Sequence, residues 1–90
     1  MKKRPPHIHE LKTHPDVFQD VWDERKPFEI RNNDRDFQIG DVLRLKEYDP
    51  GTKMFSGRSA ARVVTYILGG PDAEKYGVKR GYCIMAMEKP

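Results

Sequence analysis

Lys26-Pro27-Phe28-Glu29-Ile30-Arg31-Asn32-Asn33-Asp34-Arg35-Asp36-Phe37-Gln38-Ile39-Gly40-Asp41 begins by alternating charged with apolar residues and then gives way to turn chemistry. Strict alternation over Lys26 to Arg31 reads as a strand, because successive side chains on extended backbone point to opposite faces. In the simplest phase Phe28 and Ile30 face a core while Glu29 and Arg31 stand together on the other side, with Lys26 arriving just before them. A carboxylate between two cations suits a polar ligand: Glu accepts from an exocyclic amine, and Lys and Arg contact anionic oxygens. The plain alternative is a surface ion-pair row, which contributes little to stability.

C-terminal to this stretch, strands dominate. Asn32 to Asp36 is a turn, since Asn and Asp tolerate left-handed dihedrals and bond their own backbone. Gly40-Asp41 turns the chain again. Val42 to Tyr48 alternates Leu43 and Leu45 with Arg44 and Lys46, and Asp49-Pro50-Gly51-Thr52 leads into a second arm, Lys53 to Arg58. Ala60 to Leu68 is the longest β-branched run, Gly69-Gly70-Pro71 ends it, Asp72 to Tyr76 makes one helical turn, and Tyr82 to Glu88 closes the sheet.

N-terminal to it, His7 to Lys12 reads as a short strand. Thr13-His14-Pro15-Asp16 opens a helix, with Pro15 suited to the first helical position and Asp16 to the positive helix end. Val17, Phe18, Val21 and Trp22 give that helix one apolar face, expected to lie across the sheet. Met1 to Pro6 is a flexible basic tail, so residues 7–90 form a single domain. Strand, helix, then several strands make an α+β fold.

The spacing of Lys26, Glu29 and Arg31 resembles the Gly-x-Lys-x-x-Glu-x-Arg motif of the ASCH (activating signal cointegrator homology) superfamily, with Glu24 in the glycine position. Phe28 to Leu43, Gly57-Arg58, Val64 to Leu68 and Gly77 to Tyr82 are similar to an uncharacterised phage and bacterial branch of that superfamily. The resemblance implies a small PUA-like (ASCH-type) β-barrel with one main helix after the first strand. It also implies an RNA- or nucleotide-binding cleft between helix and barrel, lined by Lys26, Glu29 and Arg31. Asp34 and Arg35 are expected to brace that motif or to form a solvated turn. Phe55, beside Lys53 and Arg58, is the stacking candidate for a base, although packing is the commoner role of such a ring. Tyr82 is expected to border the cleft through its hydroxyl.

One branch of the superfamily hydrolyses N4-acylated cytidines with a lysine, a threonine nucleophile and a glutamate. Lys26 matches its lysine, but Glu29 stands at the threonine position, and a carboxylate attacking an amide gives an unproductive anhydride. Binding is therefore expected ahead of catalysis, with an amidohydrolase of a modified pyrimidine nucleoside as one alternative. The other is a phage-type domain gripping a host protein.

Composition sets the outer limits. Ninety residues, 37% hydrophobic and 34% charged, leave a thin core and much sheet surface for solvent or a partner. A net charge of +3 favours polyanions without the strong bias of a duplex binder. The lone Cys83 cannot form an internal disulfide and falls in an apolar run, so a buried thiol in a cytoplasmic monomer is expected. Pro5-Pro6-His7 interrupts what would be a signal peptide, and no segment is apolar enough for a membrane span. His7 and His9, with Glu10 or His14, lack a clear third ligand, so neither a metal nor another cofactor is expected.

Overall fold

The computed structural model describes residues 4–90; Met1, Lys2 and Lys3, half of the expected tail, lie outside them. Five strands, β1 (Ile8–Thr13), β2 (Phe28–Asn32), β3 (Val42–Asp49), β4 (Met54–Gly69) and β5 (Tyr82–Glu88), form one sheet in the order β1-β3-β4-β5-β2. The β1–β3 pair is parallel and the others are antiparallel. The sheet curls into a half-barrel, and the helix α1 (Pro15–Trp22) follows β1. The architecture is α+β, as expected. No helix among the described residues is long and apolar enough to cross a membrane.

Alternation builds the core. Leu11, Leu43, Leu45, Val64, Cys83, Met85 and Met87 join Phe18 and Val21 of α1 in one buried cluster. Phe18 and Val21 are fully buried, each contributing about 1.5–3 kcal/mol in transfer free energy. Cys83 is buried as expected, and burial pushes its thiol pKa up. Two arginines of β4 fix the helix. Arg58 meets Glu47 through two hydrogen bonds of 3.0 and 2.9 Å, bonds Gln19 Oε1, and lies 5.1 and 5.0 Å from the Phe18 and Trp22 rings. Its guanidinium, with help from Ser56, holds the Glu47 pKa down against the cost of burial. Arg62 donates to the Val21 carbonyl at the helix end, where free carbonyls need donors.

Two expectations are corrected here. The arm at Lys53 to Arg58 and the run at Ala60 to Leu68 are not separate strands: β4 is continuous over sixteen residues. The register shift between Lys46 and Tyr48, with Gly57 at φ 95°, bends the ladder instead of ending it. The phase of β2 is also the reverse of the simple reading. Glu29 is 3% exposed, whereas Phe28 and Ile30 are 39% and 54% exposed. The cause is the partner strand: Glu29 pairs with Met85 and Arg31 with Cys83, so both share the inward face of β5. Phe28 and Ile30, opposite Ala86 and Ile84, are turned outward.

At the other end of β1, a buried knot ties Arg4 and His7 to Asp41. Asp41, 1% exposed, accepts from both terminal nitrogens of Arg4, from the backbone N–H groups of His7 and Gln38, and lies 2.8 Å from His9 Nε2. His9 therefore turns inward, against the edge of the Phe37 ring. Burial alone would raise the Asp41 pKa, but the hydrogen bonds from Arg4, His9, His7 and Gln38 together hold it well below the ordinary carboxylate range. The loop before it follows turn chemistry as read: Asn33 Oδ1 accepts from the Phe37 N–H, and Asp36 has φ 51°.

A charged cleft at the open seam of the sheet

Because β1 and β2 are the two edges of the sheet, the half-barrel has a seam between them. Side chains span it. Arg31 on β2 donates through Nη2 to the Lys12 carbonyl at 3.0 Å and to Thr13 Oγ1 at 3.2 Å, both on β1. Arg35, in the loop after β2, donates through Nη1 to the Glu10 carbonyl at 2.9 Å. Lys12 and Glu10 sit two residues apart, so two guanidinium groups engage alternate carbonyls of an edge strand that has no strand partner on that side among the described residues.

Above this seam lies a cleft of about 330 Å³ between the end of β1, the start of α1 and the edge of β2, where Ile30 also borders it. Lys26, Glu29 and Arg31 line one wall, and Lys12, Thr13, His14 and Val17 line the other. Glu29 is the centre of the charged wall. Its Oε1 lies 2.5 Å from Lys26 Nζ, and its Oε2 accepts from Arg31 Nε at 2.9 Å. Lys26 also donates to the Phe28 carbonyl. The carboxylate is buried, but its cations reach solvent, with side chains 18% and 25% exposed. Each carboxylate oxygen retains a lone pair beyond the one committed to its cation.

Of the residues singled out in the sequence, the structure brings Lys26, Glu29, Arg31 and Arg35 together at the seam. Asp34 is exposed, takes part in no hydrogen bond among the described residues, and braces nothing there. Tyr82 does not border the cleft: it pairs with Asn32, one step from Arg31–Cys83, and alternation puts it on the outer face of the sheet. Phe55 is 46% exposed and packs its ring 4.8 Å from Tyr48, outside this cleft. Lys12, Thr13, His14 and Val17 were missed as cleft residues. The available signal was the junction itself, where an alternating strand runs directly into a Pro-Asp helix start and places its last inward side chain, Thr13, beside the first turn.

A profile described as a domain of unknown function, DUF3850, matches residues 8–87 of the chain. An uncharacterized 12.9 kDa protein in the GpA 3′ region of Escherichia phage P2 is 38% identical over 58 residues, covering 64% of this chain and 51% of the phage protein. The chain thus spans about half the length of that relative.

Proposed function

The chain belongs to the DUF3850 family, and from the cleft it carries we propose that it binds RNA or a nucleotide, on a half-barrel that we read as PUA-like and of the ASCH type. One observation carries the reading: Lys26, Glu29 and Arg31 converge on a single cleft large enough for a small polar guest. Glu29 is held in place by two cations, so its spare lone pairs accept from a ring amine without further ordering. Arg31 offers Nη1, which has no acceptor among the described residues, and Lys26 offers an ammonium able to turn toward a phosphate oxygen. The base edge thus meets Glu29 and the phosphate meets the cations.

Backbone amide shifts followed during titration with cytidine and uridine 5′-monophosphates test this. The largest shifts are expected over Lys12–Val17 and Lys26–Arg31. Glu29→Gln is expected to reduce the preference for the amine-bearing base by about 5- to 150-fold, the range for loss of one good base-edge contact. Saturating nucleotide without shifts at either wall refutes the reading.

An amidohydrolase acting on N4-acylated pyrimidine nucleosides is the second reading, favoured by the Thr13 hydroxyl, which lines the cleft opposite Lys26. That hydroxyl is engaged with Arg31 and the Leu11 carbonyl, and Glu29 is held by two cations and is a poor base for it, so the candidate base is His14 on the same wall. Cytidine release from N4-acetylcytidine, abolished in Thr13→Ala, would establish hydrolysis.

A further inference from the structure

On the other side of Arg31 from the cleft, the surface dips again into a groove of about 370 Å³ over the outer face of β1 and β3. Glu10, Lys12, Arg31, Arg35, Lys46 and Phe55 line it. Four cations face one carboxylate, and that carboxylate is turned toward Arg44 and Lys46, at 3.5 and 3.9 Å. Arg35 is already held by its bond to the Glu10 carbonyl, yet its Nε and Nη2 have no acceptor among the described residues. A guanidinium fixed on one edge and free on the other is a pre-ordered receptor for a phosphate oxygen pair.

The aromatic floor is equally specific. Phe55 leans on Tyr48 and remains nearly half exposed, with Lys46 Nζ 4.8 Å from its centroid; Lys12 Nζ lies 4.6 Å from the Tyr48 centroid. Exposed rings flanked by ammonium groups are the composition that takes an unpaired base against its face and the adjoining backbone on its cations. Each lysine can exchange its ring contact for a phosphate without leaving the groove. An acidic peptide would satisfy the cations but would leave the exposed ring without a flat partner.

Lys12 and Arg31 belong to both the groove and the cleft. We propose that the groove is a second subsite for single-stranded nucleic acid, in which Arg31 and Arg35 hold the phosphate linking two nucleotides and Phe55 stacks the base next to the one in the cleft. This rests on the reading of the cleft as a nucleotide site and makes the ligand a strand of at least two nucleotides. Tight binding then depends on the phosphodiester link, which neither a nucleoside nor a mononucleotide possesses.

The test uses the full chain with two probes, cytidine 5′-monophosphate and a single-stranded hexacytidylate RNA, and four proteins: wild type, Phe55→Ala, Arg35→Gln and Lys26→Ala, each checked for native circular dichroism. The hexamer is expected to bind wild type at least about tenfold more tightly than the mononucleotide. Phe55→Ala is expected to lose about tenfold or more for the hexamer and nothing for the mononucleotide. Arg35→Gln should lower the slope of log affinity against log salt by about 0.7, the loss of one single-strand phosphate contact. If both groove variants bind the hexamer as wild type does while Lys26→Ala loses both probes, the groove proposal falls and the cleft reading stands. If the hexamer responds to the groove variants but neither probe responds to Lys26→Ala, the groove stands and the cleft reading falls. Wild type that takes up neither probe sinks both, and hexaglutamate displacing the RNA at equal concentration overturns the groove's assignment to nucleic acid.

Discussion

Replacing Asp41 by Asn removes one charge and almost no volume, and it is expected to cost the domain a large part of its stability. The side chain is 1% exposed and serves five donors from three separate stretches of chain: two from Arg4, the His7 N–H, His9 Nε2 and the Gln38 N–H. Asparagine keeps one acceptor oxygen, which can serve Arg4 Nη1 and the His7 N–H as Asp41 Oδ1 does now. Its amide nitrogen then faces Arg4 Nη2 and the Gln38 N–H, both obligatory donors, and two hydrogen bonds become repulsions. Breaking a buried charged network from one side costs about 3–5 kcal/mol. For a domain of this size that corresponds to a fall in Tm on the order of 15–30 °C. Urea unfolding at pH 7 measures it directly, and Asp36→Asn, altering an exposed carboxylate 4.0 Å from the same arginine, is the control expected to stay within about 0.5 kcal/mol. The pH dependence gives a second readout. The folded-state pKa of Asp41 is depressed, so its stabilisation is complete above the unfolded value near 3.8 and drains away as pH falls below it. The gap between wild type and Asp41→Asn should therefore be widest at neutral pH and narrow below about pH 4. A midpoint shift worth less than about 1 kcal/mol at pH 7, or a gap unchanged between pH 7 and pH 2, would refute the reasoning.

Arg31→Lys keeps the charge beside Glu29 but has no planar fork to reach β1, so it is expected to lose about 1–2 kcal/mol and to speed amide exchange in β1; unchanged exchange there would mean that the guanidinium bridges do not hold the seam. Gly69→Ala puts a Cβ about 2.9 Å from Cys83 Cβ and 3.3 Å from the Tyr82 carbonyl, a clash between adjacent strands expected to lower stability by about 1–3 kcal/mol in thermal unfolding, and an unaltered Tm would show that the β4–β5 ladder yields at this point.

How far the sequence could be read depended on what each signal encodes. The helix at Pro15 to Trp22 and the strand at Tyr82 to Glu88 were legible because their apolar period is local and their caps are adjacent. The three charged residues of the cleft were legible as a group because they lie within six positions of one another and resemble a motif of known spacing. The facing direction of β2 was not. Its apolar residues, Phe28 and Ile30, point outward because pairing with β5 fixes the phase, and no local rule expects a strand to bury its glutamate in preference to its isoleucine. The opposite wall, Lys12 to Val17, is brought to the site by the parallel β1–β3 pairing and by the arginines that span the seam, both properties of the assembled sheet. The second groove was half legible: Phe55 stood out as an exposed ring among cations, but its relation to Lys12 and Arg35 required the register Tyr48↔Phe55.

Two of the buried carboxylates of this domain, Asp41 and Glu29, differ in a way that bears on why Glu29 is there. Asp41 is satisfied from every side, by backbone amides as well as side chains, and locks three segments into one corner. Glu29 accepts no backbone amide among the described residues. Its partners are two long side chains whose heads reach solvent at the rim of a cleft. A buried ion pair of that kind is a poor stabiliser, since an apolar residue of similar volume packed against Met85 would serve the core as well or better. The expense makes physical sense where the group is wanted for its unused lone pairs, held in fixed orientation at the floor of a water-accessible hollow. The same holds for Arg31, which closes the seam with Nη2, fixes Glu29 with Nε and leaves Nη1 without an acceptor among the described residues. A single arginine thus couples the integrity of the sheet edge to the placement of the charges a ligand would meet. Filling the site would then be expected to tighten the seam as well as the cleft.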